Sequence, residues 1–292
     1  MISGTNTTHP AIVFLIAGQS NAGGCGVISP ELHEERGAHI ERPLIPGSTA
    51  SEVGLPTARD DYARSSIWVP DHGFQRIDPH RNAKPDKPGI PGHGMELPVL
   101  WTLERRLPEN HLFAIKYGPG AVTLHRDWNP ADQEVERPCY ATWLRYYRDG
   151  MAELAGTYPE VRVIGLYWDQ GESDGIENKA GEYAENLTRF IATVRRDTGI
   201  PQLPFFVRRH IFTWENIDTI IASQEEVVAN DPHSHMLDLD FGDRFKNYEA
   251  WAYSPNNGHV SSKGFVELSK QLFDGPLANA TIDSFCRLSR NI

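Results

Sequence analysis

The stretch Ile12-Val13-Phe14-Leu15-Ile16-Ala17-Gly18-Gln19-Ser20-Asn21-Ala22-Gly23-Gly24 constrains this chain more than any other. Six apolar or small residues in a row read as a short strand buried on both faces, and such strands belong to parallel sheets covered by helices. Gly-Gln-Ser-Asn follows at once and delivers Ser20 into a glycine-rich turn at the strand's carboxyl end. A serine in that place is either a nucleophile or the cap of the next helix. A phosphate-cradling loop fits less well, because residues 18–24 lack both the lysine and hydroxyl pair of a P-loop and the Gly-x-Gly-x-x-Gly spacing.

The same alternation recurs down the chain. Leu97, Leu100, Trp101, Leu103 and Leu107 mark the apolar face of a helix that opens near Pro98 and runs to about Arg106. Leu112-Phe113-Ala114-Ile115 is a second buried strand, ending in Lys116-Tyr117-Gly118-Pro119-Gly120-Ala121. A helix over Trp143 to Leu154 precedes a strand over residues 161–168, which ends in Asp169-Gln170-Gly171-Glu172-Ser173-Asp174. A helix from about Ala180 stops at Gly199, with Tyr183, Leu187, Phe190, Ile191 and Val194 on one face. Strands over 203–207 and 235–239, a helix marked by Ile217, Ile220, Ile221 and Val228, and a last helix over Ser262 to Phe273 complete the pattern. Strands alternating with helices predict a three-layer α/β/α sandwich of flavodoxin-like type around a parallel sheet of about five strands.

Residues 27–93 break the regularity. They are rich in proline, glycine and charge and read as a long loop insertion walling a ligand site. Their histidines, His72, His80 and His93, match no metal-ligand spacing, so no metal is expected. With no composition break and no internal repeat, residues 1–292 read as one domain.

Charge narrows the partners. The 28 basic and 39 acidic side chains give a net charge of -11, which argues against nucleic acid or an anionic membrane surface and suits a neutral substrate. Cys25, Cys139 and Cys286 show no paired spacing, and at most one disulfide can form. Residues 1–10 are polar, without the apolar core of an export signal, so the expected location is the cytoplasm, or outside it if a signal has been removed.

Open parallel sheets bind ligands beyond the carboxyl ends of their strands, where Ser20, Gly118 to Gly120 and Gln170 to Glu172 all fall. A nucleophilic serine needs a base. Ser254-Pro255-Asn256-Asn257-Gly258-His259, directly before the last helix, supplies one, although a lone histidine there also serves as an ordinary polar loop residue.

Ala17 to Ala22, Trp168 to Asp174 and Gly258-His259-x4-Gly264 together resemble the SGNH hydrolases. Within them the match is to the branch of sialate O-acetylesterase-like and family 6 carbohydrate acetylesterases, over roughly Ile12 to Phe273 apart from the insertion. The resemblance implies a serine hydrolase that removes O-acetyl groups from a carbohydrate through an acyl-enzyme, without metal or organic cofactor. It makes Ser20 the nucleophile, His259 the general base, and the N–H of Ser20, the N–H of Gly120 or its neighbour and the Gln170 side-chain amide the oxyanion donors. Gln19, Asn21 and Glu172 are then expected to bind substrate or brace these loops. Two positions depart from the pattern. Asn256 stands where the family usually has the aspartate that orients the histidine, and Ala121 replaces the second glycine of a Gly-Gly pair. Asn256 also motivates a second reading, a catalytically weakened carbohydrate-binding protein; a third, within hydrolases, is an esterase for other acyl groups, which would call for a long apolar acyl pocket that the polar insertion does not advertise.

Overall fold

The computed structural model describes residues 8–31, 44–85, 89–132, 134–210, 215–239 and 258–288. The strands are β1 (Ala11–Gly18), β2 (Ser65–Val69), β3 (Gly73–Arg76), β4 (Leu112–Tyr117), β5 (Val161–Asp169), β6 (Phe205–Arg208), β7 (Ser234–Leu237) and β8 (Cys286–Arg287). They form one sheet in the order β3-β2-β4-β1-β5-β6-β7, with β8 paired to β5. The pairs β2/β4, β4/β1, β1/β5, β5/β6 and β6/β7 are parallel; β3 and β8 pair antiparallel to their neighbours. The helices are α1 (Ser20–Gly23), α2 (Glu96–Arg106), α3 (Cys139–Ala155), α4 (Glu172–Ile176), α5 (Tyr183–Thr198), α6 (Ile217–Ala229) and α7 (Ser262–Asp274).

Side chains alternate across β1 with the two-residue period of a strand, which splits the core into two layers. Val13, Leu15 and Ala17 pack with Trp128, Trp143, Trp168 and Phe190, under α3, α5 and α6. Ile12, Phe14 and Ile16 pack with Leu100, Leu103, Phe265 and Leu268 of α2 and α7 on the other face. Both faces being covered is why β1 carries no polar residue until its end. All eight of its residues are buried.

One expectation changes here. The stretch 27–93 is not wholly irregular, because Ser65–Val69 joins the sheet parallel to β4 and turns back antiparallel as Gly73–Arg76. The turn between them takes positive φ at Asp71 (62°) and Gly73 (70°), the residue types that tolerate it. Each strand is too short to show a period, and that is why the pattern of apolar residues did not reveal them. No helix among the described residues is long and apolar enough to cross a membrane.

Candidate active site

The carboxyl edge is built by close backbone approaches. Gly18 ends β1 with φ 146°, and a Cβ on it would lie 2.1 Å from the Asp169 carbonyl oxygen, which accepts the Gln19 N–H at 2.8 Å. Gly118, past the end of β4, lies against the turn after β1: a Cβ there would meet the Gly23 nitrogen at 2.2 Å and the Gln19 carbonyl at 2.7 Å. The Trp128 indole N–H donates to the Gly18 carbonyl at 3.0 Å and fixes the same turn from behind. These contacts leave Ser20 as the first residue of a single helical turn, half-buried at the rim.

Ser20 does not cap that turn. Its Oγ lies 2.9 Å from Nε2 of His259, delivered by the segment that enters α7. α7 is capped by Ser261, whose side chain accepts from the Gly264 N–H at 3.2 Å, so the residues just before it are held in place. Asn21 holds them from the other side: its Oδ1 accepts from the Val260 N–H at 2.9 Å and its Nδ2 donates to the Gly258 carbonyl at 3.3 Å. The same Nδ2 donates to Glu172 Oε1 at 3.2 Å, which ties the loop after β5 to both.

Burial pushes the His259 pKa down, but a hydrogen bond and charge interaction with Cys25 and the nearby Glu172 carboxylate outweigh it, against a smaller opposing effect of Lys84. The net direction is up. Cys25 also donates to the Ser20 carbonyl at 3.3 Å, so it borders the serine and the histidine alike.

Gln170 is fully buried. Nε2 donates to Asp174 Oδ2 at 2.6 Å and to the Val122 carbonyl at 3.0 Å, with Gln19 Oε1 at 3.3 Å, so both amide hydrogens are committed inside the protein. Reaching an oxyanion would require giving one of these up. Gln19 is buried too and accepts weakly from Gly171 and Ser173, both N–H groups at 3.5 Å; it joins the ends of β1 and β5. Gly120 is exposed and has open space around its Cβ position. Arg137 donates to the carbonyls of Gly120 (3.0 Å) and Ala121 (2.6 Å), and Ala121 is held at φ 53°. That left-handed conformation explains why a glycine suits position 121, and it costs an alanine about 1–2 kcal/mol. Asn256 lies outside the described residues.

Several residues were not legible as part of the site. Asp174 accepts from the Leu124 and His125 N–H groups at 2.8 and 2.9 Å, which fastens the loop after β4 to the loop after β5. Its pKa is raised by burial, against the hydrogen bonds that lower it. Arg208, the last residue of β6, makes a two-pronged ion pair with Asp169 at 2.7 and 2.6 Å and reaches Glu172 Oε1 at 3.1 Å. The only sequence signal was a charged residue closing the apolar run Phe205-Phe206-Val207. His93, read as a loop histidine, is fully buried, with Nε2 2.7 Å from Ser262 Oγ, and burial lowers its pKa to about 4.

The model of the carbohydrate esterase, sialic acid-specific acetylesterase family matches residues 10–277. The chain belongs to that family. No curated protein sequence matches it. Among solved structures, this family member is similar to an Arabidopsis thaliana protein, at 18% identity and TM-score 0.64, with 93% of this chain and 99% of that one covered. It is also similar to NanS, at 14% identity and TM-score 0.60, covering 93% and 98%. At these identities the likeness concerns the fold, which is the three-layer arrangement that the family's sequence blocks imply.

Proposed function

We propose that the protein is a carbohydrate O-acetylesterase in which Ser20 attacks the acetyl carbonyl and His259 acts as general base. The observation that carries this reading is the 2.9 Å contact between Ser20 Oγ and His259 Nε2 at the carboxyl edge of the sheet. As Oγ bonds to the carbonyl carbon, its proton passes to Nε2. The imidazolium then gives that proton to the departing sugar oxygen, leaving Ser20 acetylated. Water, deprotonated by the same nitrogen, attacks the acetyl-serine and restores the enzyme.

Charge accumulates on the carbonyl oxygen during both attacks, so donors must already face it. The Ser20 N–H opens a helical turn and has no acceptor among the described residues, as expected of the first N–H groups of a helix. The N–H groups of Gly120 and Ala121, on a turn whose carbonyls Arg137 holds, are the other candidates. Each such donor contributes a few kcal/mol to the transition state. Gln170 enters as a positioning group through Asp174 and Val122. Family membership supports an acetylated sugar as substrate.

Acetate release from an O-acetylated sialic acid and from 4-nitrophenyl acetate by the parent and by Ser20→Ala tests the proposal. Release by the parent and its near-complete loss in a folded Ser20→Ala protein are expected. Binding of the sugar without turnover by the parent would favour a carbohydrate-binding protein, and turnover of longer acyl esters in preference to acetate would favour a different esterase.

A further inference from the structure

Arg208 is fully buried, and Asp169, on the neighbouring strand end, meets it with both carboxylate oxygens. Asp169 Oδ2 also accepts from the Tyr167 hydroxyl at 2.7 Å, so the aspartate is satisfied without further help from the site. The guanidinium nevertheless extends beyond this pair. Nη2 donates to Glu172 Oε1 at 3.1 Å and lies 3.0 Å from His210 Nδ1, and Nη1 donates to the Arg209 carbonyl at 3.3 Å. Burial holds the His210 pKa down at about 3, so its ring is neutral, and Nε2–H donates to the Gln170 carbonyl at 3.2 Å.

The contact with Glu172 is the informative one. The Glu172 side chain is 6% exposed and its neighbour Asp169 is wholly buried, so two carboxylates share a region from which water is excluded. Without a cation between them they would repel. Glu172 as a carboxylate only accepts hydrogen bonds. That decides which end of the Asn21 carboxamide faces it: the nitrogen, at 3.2 Å. The oxygen is thereby turned to the Val260 N–H, and the peptide groups on both sides of His259 are held.

We propose that Arg208 is a positioning residue for the Ser20–His259 pair, acting through Glu172 and Asn21 on the backbone that carries His259. Its effect depends on an unbroken series: guanidinium to carboxylate, carboxylate to carboxamide, carboxamide to the two peptide groups. The inference rests on the reading of Ser20 and His259 as the reacting pair, and it adds a residue from β6 that none of the sequence blocks contains.

Arg208→Lys, Glu172→Met and the double variant test it, with Arg209→Lys as a neighbouring control outside the series. Lysine keeps a cation beside Asp169 but offers a single point where the guanidinium offers a fork, so it cannot serve Asp169 and Glu172 in the same geometry. With 4-nitrophenyl acetate, Arg208→Lys is expected to lower kcat by about tenfold or more with KM within about twofold, because a small displacement of the base costs rate and not binding. The double variant is expected to be no slower than the slower single variant, since both changes cut the same series. Hydrogen–deuterium exchange at the Val260 amide should quicken in both single variants and stay unchanged in Arg209→Lys. Parental kcat and parental Val260 exchange in a folded Arg208→Lys protein would overturn the proposal, as would losses that multiply in the double variant. If Arg208→Lys does not fold, Glu172→Met alone decides, because it removes the acceptor shared by Asn21 and Arg208 and leaves the Arg208–Asp169 pair intact: unchanged kcat and exchange would contradict the proposal. The exchange measurement needs no turnover. A parent without esterase activity but with the predicted change at Val260 would therefore refute the enzymatic reading and leave the positioning series standing.

Discussion

Asn21 holds both peptide groups that flank His259, accepting from the Val260 N–H at 2.9 Å and donating to the Gly258 carbonyl at 3.3 Å. The residue next to Ser20 thus sets where His259 stands. One short turn after β1 fixes two side chains that are 239 residues apart in the chain.

Asn21→Ala removes that hold and leaves Ser20 in its turn. The expected result is a fall in kcat of about 10²-fold with little change in KM, since a misplacement of about 1 Å costs that much in rate. Asn21→Asp should be worse, because a carboxylate would face Glu172 and the Gly258 carbonyl, both acceptors. Steady-state kinetics on folded variants checks this, and an Asn21→Asp protein faster than Asn21→Ala would contradict it.

The pH profile follows from the direction of the His259 shift. His259 must be neutral to take the Ser20 proton, so kcat/KM should rise with pH through its pKa. That pKa is raised from the ordinary 6.5, so the midpoint of the acid limb is expected above 6.5. Glu172→Gln removes one of the groups that raise it, and the midpoint should move to lower pH. An unmoved midpoint in the variant would show that Glu172 does not act on His259, and a parental midpoint at or below 6.5 would contradict the upward direction itself.

Gln170 separates two ways in which an amide serves an active site. In the arrangement seen, its hydrogens go to Asp174 and Val122, so Gln170→Ala should lower the melting temperature as well as kcat, because a buried carboxyl group loses a donor. A donor aimed at the oxyanion would instead lower kcat by about 10²-fold and leave stability nearly intact. Thermal melts alongside kinetics distinguish them.

Sequence patterning carried the fold to the level of single elements where segments were long. The apolar run of β1, the spaced faces of α2, α5 and α7 and the glycines at strand ends were readable because burial on both sides of a parallel sheet leaves little choice of residue. β2 and β3 were not readable, since they are five and four residues long, mix polar with apolar residues and lie within a stretch rich in proline, glycine and charge. Ser20 and His259 were legible as a pair only through motif resemblance; nothing local to His259 marks it as a base. Arg208 and Asp174 were harder still. Each acts by filling a buried polar position that other elements create, and such a requirement appears only when the strands are side by side.

In the proposed reaction Ser20 carries the acetyl group between the two halves of the cycle. Rapid acid quenching during turnover of 4-nitrophenyl acetate, followed by mass spectrometry of the peptide that contains Ser20, tests it most directly. The account predicts an acetylated Ser20 in the parent, formed with the first burst of nitrophenol, and none in His259→Ala. Turnover with an unmodified Ser20, or an acetyl group on another residue that forms at the turnover rate, would contradict it.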